Sequence, residues 1–222
     1  MQIWSQASNL VYNEKKTKSM YFCTRRLQQA HDLKDNQFVI KLNKGTLQQT
    51  NEMKILGVIF DNHLTWKIHT NKVIKDCFST LRTLRSISRL LPYQVKKQLA
   101  TTLILSKLDY GNVVTSNLPR HLLKSLQKVQ NAAAGFVLRR HATTEDVIKL
   151  SWLPIQQRLE YSLAVLAYKS INGMCPENMN VRTKIDRRNL RSNQENVGPM
   201  IECNEKAKTF QHDAALVFNR PQ

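Results

Sequence analysis

The hydrophobic period of the chain changes near Trp66, and this change constrains the fold more than any other feature. Before it, "KKTKSMYF" alternates polar and apolar residues and "KILGVIF" runs apolar, as short strands do. After it, apolar residues recur at helical spacing as far as Leu91. The sequence therefore predicts an α+β protein that is mainly α, with a small antiparallel sheet and one helix followed by an α-helical bundle.

Turn and capping residues set the bounds of the predicted elements. The turn Asn43-Lys44-Gly45 is expected to join two strands, because glycine accepts a positive φ. Thr65 is expected to cap a long helix, since its hydroxyl can accept an N–H of the first turn. The predicted helices cover 3–10, 66–91, 92–108 and 120–138, and a further one opens at Pro154. The predicted domains are 1–62, 63–178 and a loosely ordered tail at 179–222.

The positive charge is concentrated in the middle of the chain. The whole sequence carries 34 basic and 16 acidic residues, a net charge of +18. Residues 61–140 hold fourteen basic and three acidic side chains, a net charge of +11. A positive charge of this size creates an electrostatic field that attracts polyanions. Nucleic acid is therefore the first partner to consider, and an anionic membrane surface is the second. A basic protein that is merely solvated is the third interpretation.

The helix at 66–91 places its cations on one face, apart from its apolar residues. A solvated helix usually interleaves acids with its bases, but here only Asp76 does so. We therefore expect contact with the phosphates of RNA, DNA or an RNA–DNA hybrid. The predicted nucleic-acid-binding residues are Lys75, Arg82, Arg85, Arg89, Lys96, Lys97, Lys124 and Lys128.

No self-contained active site is visible in the sequence. Two-metal chemistry needs converging carboxylates, and Asp61 has none nearby, so we expect it to end a strand through an Asx turn. The set Asp61, His63 and His69 does not complete a metal shell. Glu145-Asp146 falls in the first turn of a helix capped by Thr143 or Thr144. The sequence predicts no catalytic residue, no metal site and no cofactor.

The cysteines and the hydropathy indicate an intracellular protein, in the cytoplasm or the nucleus. The four cysteines lie far apart, with neither a disulfide framework nor zinc-finger spacing. No run of 18 apolar residues occurs and no signal peptide is recognisable at Met1, so we expect no membrane association through a span.

Five strings in order resemble reverse transcriptases of LINE-type non-LTR retrotransposons. The first two are "L-x-x-N-x-x-K-T-x-x-M-x-F" from Leu10 and "L-G-V-x-x-D-x-x-L-T-W-x-x-H" from Leu56, which resemble the region after the family's catalytic aspartates. The others, which resemble its helical continuation, are "LDYG", "LQKVQNAAA" and "WLPIQQR…Y…YK…G..P". Together they cover about residues 3–220.

The resemblance implies the end of a polymerase palm followed by a thumb-like helical domain. The family uses Mg²⁺ held by paired aspartates, which would precede Met1. Lys16 matches a palm lysine near the incoming nucleotide, and Leu56, Gly57 and Val58 match the hairpin beside the primer end. The implied function is a fragment of an RNA-directed DNA polymerase that binds nucleic acid and is inactive alone.

The chain departs from the family pattern at three positions, and two other interpretations remain open. Thr115 and Phe218 stand where tryptophan is usual, and Gly135 stands where arginine is usual. Such departures fit a decaying transposon copy. The alternatives to a polymerase fragment are a helical remnant that docks protein partners, and a relic open reading frame without a cellular role.

Overall fold

The computed structural model describes residues 7–9, 13, 16–30, 39–42, 45–176, 179, 183–184 and 200–201. The predicted helix at 3–10 and the predicted tail at 179–222 therefore lie largely outside the described residues, as does Phe218. The chain divides into two compact units, Met1–Lys72 and Val73–Gln222.

The first unit contains short strands and one short helix. Its elements are β1 Lys18–Ser19, α1 Arg25–Ala30, β2 Lys41–Leu42, β3 Gly45–Thr46, β4 Gln48–Gln49, β5 Glu52–Ile55 and β6 Val58–Asp61. Strands β2 and β3 pair antiparallel with Leu42 opposite Gly45, so Gly45 of the predicted turn is the first residue of β3. Strand β1 pairs with β4 in parallel, a pairing that the sequence did not predict.

The segment "KILGVIF" is a hairpin, whereas its apolar run was interpreted as one strand. Strands β5 and β6 pair antiparallel, with Ile55 opposite Val58. The two residues between them, Leu56 and Gly57, have φ values of 46° and 89°. Consecutive positive φ values are those of a type I′ turn, whose twist matches that of the strands it joins. Glycine takes such a φ without strain, so Gly57 is where the run can fold back.

Helices account for most of the described chain. They are α2 Lys67–Ser86, α3 Tyr93–Ala100, a π-helical turn Thr101–Leu105, α4 Ser106–Asp109, α5 Arg120–Leu138, α6 Thr144–Lys149 and α7 Ile155–Ile171. A last antiparallel pair joins β7 Thr183–Lys184 to β8 Met200–Ile201. The predicted α+β, mainly α, class is confirmed.

Helix α2 ends five residues before the predicted Leu91. The following residues form tight turns, in which the Ser88 and Leu90 N–H groups donate to carbonyls three residues earlier, at 3.2 and 3.0 Å. The proline at position 92 disfavours a helical conformation at Leu91, the residue before it, but does not by itself account for the end at Ser86. The apolar side chain of Leu90, included in the predicted helix, is 84% exposed.

The core of the second unit lies where α2, the α3–α4 segment and α5 meet. Its fully buried residues come from each of these elements and from the loop and short helix after α5. Burying aliphatic side chains of this size from water stabilises a fold by about 1.5–3 kcal/mol each. The central members are Cys77, Leu81, Ile104, Leu105, Val129, Ala133, Val137 and Val147.

Polar contacts tie α7 to α5 and to the end of α4. Arg158 Nε donates to Asp109 Oδ1 at 2.8 Å, and a second bond joins the same two side chains. Gln130, fully buried, donates to the Leu153 carbonyl at 2.8 Å. The Ile155 N–H, at the start of α7, donates to Gln127 Oε1 at 2.9 Å. Three of the strings that resemble the polymerase family are therefore packed together.

Candidate nucleic-acid interface

Four predicted cations follow the exposed side of α2 and the turn after it. Lys75, Arg82, Arg85 and Arg89 are all exposed. Within the described chain, none of their side chains forms a hydrogen bond or an ion pair. Asp76 is exposed on the same helix but bonds to none of the four. These side chains are therefore free to meet a ligand.

Two of these cations line a cleft between the ends of α2 and α5. A cleft of about 410 Å³ lies against both helix ends, and its lining is Arg85, Ser88, Arg89, Gly135, Phe136 and Arg139. A wider cleft of about 710 Å³ adjoins it and is lined by Arg85, Lys128, Asn131, Ala132, Gly135, Arg139, Arg140, His141 and Ala142. Because the two clefts share Arg85, Gly135 and Arg139, they form one surface, here called the basic cleft.

Arg139 joins the two helix ends. Its backbone ends α5 in the left-handed region, with φ 56° and ψ 30°. Its Nη2 donates to the carbonyls of Ser88 and Arg89, at 2.9 and 3.2 Å. These carbonyls follow the last turn of α2, where backbone oxygens lack helical partners and cations are favoured. The contact fixes both the shape of the cleft and the position of the Arg139 guanidinium.

Gly135 provides the room for the chain to turn closely past α5. A Cβ at this position would lie 2.8 Å from the Arg140 carbonyl oxygen, closer than real Cβ contacts allow. The family resembled by the sequence has an arginine near this position. Here the glycine hydrogen lets the 139–142 segment lie against the helix, while Arg139 and Arg140 supply guanidinium groups at the cleft.

Among the described residues, Arg140 is the one lining cation with a carboxylate partner. Its Nη1 donates to Asp146 Oδ2 at 3.0 Å, and the Thr143 N–H donates to the same oxygen at 3.0 Å. The bond from Thr143 belongs to a capping box between Thr143 and Asp146 at the start of α6, so Thr143 is the N-cap of the two predicted candidates. The hydrogen bond from Arg140, with that from Thr143, lowers the pKa of Asp146 to about 2. The Arg140 charge is therefore largely compensated.

The other predicted cations differ in exposure. Lys124 and Lys128 are exposed on α5, where Lys128 lines the basic cleft, and Lys97 is partly exposed. Lys96 was predicted to bind nucleic acid, but its side chain is only 3% exposed. Burial, and then the nearby Arg139, lower the pKa of Lys96. It therefore lies beneath the surface and is removed from the set of direct contacts.

The residues assigned to the palm and the hairpin lie in the first unit. Lys16 is exposed in a turn before β1, where its N–H donates to Asn13 Oδ1 at 3.1 Å. Leu56, at the hairpin tip, is 87% exposed, while Val58 points inward and is 6% exposed. The hairpin expected at these residues is present, and its proximity to a primer remains a prediction.

Asp61 ends strand β6 and organises the turn into α2, as the Asx-turn interpretation predicts. Its Oδ1 accepts the N–H groups of His63 and Thr65, at 3.1 and 3.0 Å. Its Oδ2 accepts the Trp66 N–H at 3.0 Å and the Thr65 hydroxyl at 3.2 Å. Asp61 thus accepts N–H groups at the start of α2 that Thr65 was expected to cap. The Thr65 hydroxyl oxygen itself lies 3.5 Å from the Lys67 nitrogen.

The two histidines near Asp61 are each engaged elsewhere. His69 Nδ1 accepts the Ile59 N–H at 3.3 Å, and burial, then Lys72, lower the pKa of this imidazole. His63 Nδ1 lies 2.8 Å from the Cys23 carbonyl. Across the part of the chain that the structure describes, no three His, Cys, Asp or Glu side chains group to hold a metal. These residues do not fit the family's magnesium centre.

Sequence reasoning missed Arg139, Arg140 and His141 as members of the site. The signal was present in "LRRH", where three basic or titratable residues follow the last apolar residue of α5. Their importance depends on their position beside Arg85 and Arg89, some fifty residues earlier in the chain. Periodicity alone cannot predict that the two helix ends meet.

No family model, curated protein or solved structure matches the chain. Among the helices in the described ranges, none is both long and apolar enough to cross a membrane.

Proposed function

We propose that this protein binds nucleic acid through the exposed cations of α2 and the basic cleft. One observation carries the proposal: cations from two helices converge on a single surface, and only Arg140 among the lining cations has a carboxylate partner in the described residues. A folded protein gains little from holding like charges together, since they repel one another. A ligand that is a polymer of phosphates relieves that repulsion.

The geometry of the cations suits a phosphate chain. Arg82 and Arg85 lie one helical turn apart, and Lys75 lies two turns before Arg82 on the same side of α2. The planar guanidinium group can donate two parallel hydrogen bonds to one phosphate. Contacts of this kind position a strand without reading its sequence. The proposed partners are RNA, DNA or an RNA–DNA hybrid.

The resemblance to LINE-type reverse transcriptases indicates where such nucleic-acid binding would be used. We propose that the chain is the palm-to-thumb portion of a LINE-type reverse transcriptase, acting in the cytoplasm or nucleus, and that binding rather than DNA synthesis is its own activity. The order of the five strings supports the first part, together with the packing of three of them around Arg158, Gln127 and Gln130. Template- and magnesium-dependent nucleotide incorporation by the purified chain would contradict the second part.

The test is the affinity of the full chain for a fluorescent RNA–DNA primer–template duplex, measured by anisotropy at low salt. The variant Lys75→Glu/Arg82→Glu reverses two exposed cations that lie outside the cleft. The control Arg120→Glu/Lys169→Glu makes the same change in net charge at exposed positions elsewhere. We expect the first variant to bind at least tenfold more weakly than the control, about 1.4 kcal/mol. Equal affinities, or no binding by the wild type, would contradict the proposal.

A second candidate function, docking of a protein partner, rests on α7. Tyr161 and Tyr168 lie two turns apart on this helix and are 63% and 55% exposed. Exposed aromatic residues are enriched at protein interfaces. Binding to a defined protein that is abolished by Tyr161→Ser/Tyr168→Ser and unaffected by Lys75→Glu/Arg82→Glu would favour this function.

A further inference from the structure

The basic cleft differs from the rest of the cationic surface because it is concave and its cations come from two directions. Arg85 and Arg89 approach from α2 and the turn after it, while Lys128 and Arg139 approach from α5. Among the described residues, no carboxylate lines it. Asp146, which lies within hydrogen-bond distance of the lining residue Arg140, is bound to it. An anion in this cleft would contact cations on more than one side.

The Arg139 guanidinium is fixed in position by the protein itself, before any ligand binds. One of its terminal nitrogens, Nη2, donates to the Ser88 and Arg89 carbonyls. An arginine side chain has five N–H donors in a rigid plane, and the others of Arg139 have no partner among the described residues. Fixing the guanidinium through the carbonyls lowers the conformational entropy lost when an anion binds.

Lys96 adds a second, hidden cation to this corner of the fold. Its side chain is buried and lies close enough to Arg139 to interact electrostatically with it. It forms no ion pair within the described ranges. Buried charges are ordinarily paired, because moving an ion out of water is costly. A bound anion beside Arg139 would compensate both charges.

The size of the cleft limits what it accepts. A volume of about 710 Å³ falls in the range of small-molecule sites and exceeds what a lone inorganic ion fills. The lining of the adjoining cleft of about 410 Å³ combines Phe136 and Gly135 with cations from both helix ends. These dimensions and charges suit a nucleotide-sized group, with its phosphate against the guanidiniums.

We propose that the basic cleft is a dedicated phosphate site, which seats one phosphate of a nucleic-acid strand between the ends of α2 and α5. The proposal rests on the proposed nucleic-acid binding and adds to it a defined position. The exposed cations of α2 outside the cleft contact the strand diffusely, while the cleft fixes its register on the protein. The phosphate is either a strand's 5′-terminal group or an internal phosphodiester.

The test uses the full chain and single-stranded oligonucleotides of one sequence, bearing either a 5′-phosphate or a 5′-hydroxyl. Arg85→Gln/Lys128→Gln removes two cleft charges without breaking any bond of the described structure, and Arg120→Gln/Lys169→Gln is the matched control. We expect the cleft variant to bind about tenfold more weakly than the control. We also expect its slope of log affinity against log salt to fall by roughly one, because the cleft seats one phosphate.

The two oligonucleotides distinguish the source of the phosphate. A tighter binding of the 5′-phosphorylated strand to the wild type, lost in the cleft variant, would assign the cleft to a terminal phosphate. Equal binding of both strands, with both weakened in the variant, would assign it to an internal phosphodiester. A cleft variant that matches its control with both strands would overturn the proposal.

A direct anion titration separates this proposal from the proposed function. Inorganic pyrophosphate should raise the Tm of the wild type and of the control, and have no such effect on the cleft variant. If Lys75→Glu/Arg82→Glu weakens nucleic-acid binding while the cleft variant behaves as its control in both assays, only the phosphate site is overturned. If pyrophosphate acts as expected but no strand binds, the proposed function is overturned and the cleft is an anion site whose ligand is not a nucleic-acid strand.

Discussion

The helical unit carries two sets of cations, and they differ in whether a carboxylate meets them. Arg158 binds Asp109 and Arg140 binds Asp146, so these pairs fasten α7 to α4 and stabilise the start of α6. Arg85, Arg89 and Lys128 meet no acid among the described residues and line the basic cleft. An excess of positive charge indicates a binding surface only when the positions of the acids that could neutralise it are known. The paired cations serve the fold, and the unpaired ones are available to a ligand.

The largest expected effect comes from Gly135, where the shape of the cleft is decided. Gly135→Val places a side chain where a Cβ alone would be 2.8 Å from the Arg140 carbonyl oxygen. We expect a loss of about 1–3 kcal/mol in the free energy of unfolding, typical of overpacking. Urea unfolding checks this. As a comparison, Gly173→Ala meets no atom within 4 Å but has φ +68°, so strain alone should cost it about 1 kcal/mol. A more stable Gly135→Val protein would contradict the close approach.

The next largest effect on stability is expected at the ion pair between Arg158 and Asp109. Arg158→Met leaves Asp109 without its bidentate partner, and we expect a loss of about 1–2 kcal/mol, because Arg158 is largely buried while Asp109 is partly exposed to water. Arg158→Lys keeps the charge but not the two-pronged geometry, so it should restore only part of the stability. Nucleic-acid affinity should not change. An Arg158→Met variant as stable as the wild type would show that this ion pair does not stabilise the fold.

A smaller effect is expected at the second pair, because Arg140 is more than half exposed and water screens it. Since the pKa of Asp146 is lowered to about 2, its contribution to stability is present above the ordinary carboxyl pKa and is lost as pH falls through 2. Asp146→Asn should therefore be less stable than the wild type at pH 7, and the difference should shrink between about pH 4 and pH 2. Thermal unfolding across this range measures it. A difference that stays constant would contradict the lowered pKa.

The smallest effect on stability is expected for the unpaired set. Arg85→Gln/Lys128→Gln breaks no hydrogen bond or ion pair of the described structure, so its free energy of unfolding should remain within about 0.5 kcal/mol of the wild type. Its affinity for nucleic acid should nevertheless fall. The same urea unfolding experiment provides the check. A loss of unfolding free energy as large as that of Arg158→Met would show that Arg85 and Lys128 stabilise the fold.

Much of the helical fold could be predicted from local sequence, because periodicity and proline positions determine it. Helix α5 has the predicted bounds, 120–138, since its apolar residues recur regularly and Pro119 precedes it. The hairpin turn was harder to predict, because Leu56 takes a positive φ that leucine rarely adopts. Gly57 is not preceded by the asparagine or aspartate usual in a type I′ turn, so the apolar run was interpreted as one strand and only the family resemblance implied a hairpin here.

The candidate site was predicted less completely, because its members are brought together by tertiary contacts. The α2 cations follow from helical spacing, but the basic cleft depends on Arg139 reaching the Ser88 and Arg89 carbonyls. Lys96 was misassigned for a related reason. Its position in the sequence suggests an exposed lysine, whereas the packing around α3 covers it. Long side chains like that of lysine can be covered along their stems, which composition does not reveal.

The most direct test of the distinction between paired and unpaired cations is the salt dependence of binding to an RNA–DNA primer–template duplex. The slope of log affinity against log salt counts the phosphates that the protein neutralises. We predict a slope corresponding to several phosphates for the wild type and for Arg158→Lys, and a slope smaller by roughly one for Arg85→Gln/Lys128→Gln, which loses the phosphate seated in the cleft. A flat slope for the wild type, or an equal reduction in both variants, would contradict the assignment of the unpaired cations to a nucleic-acid ligand.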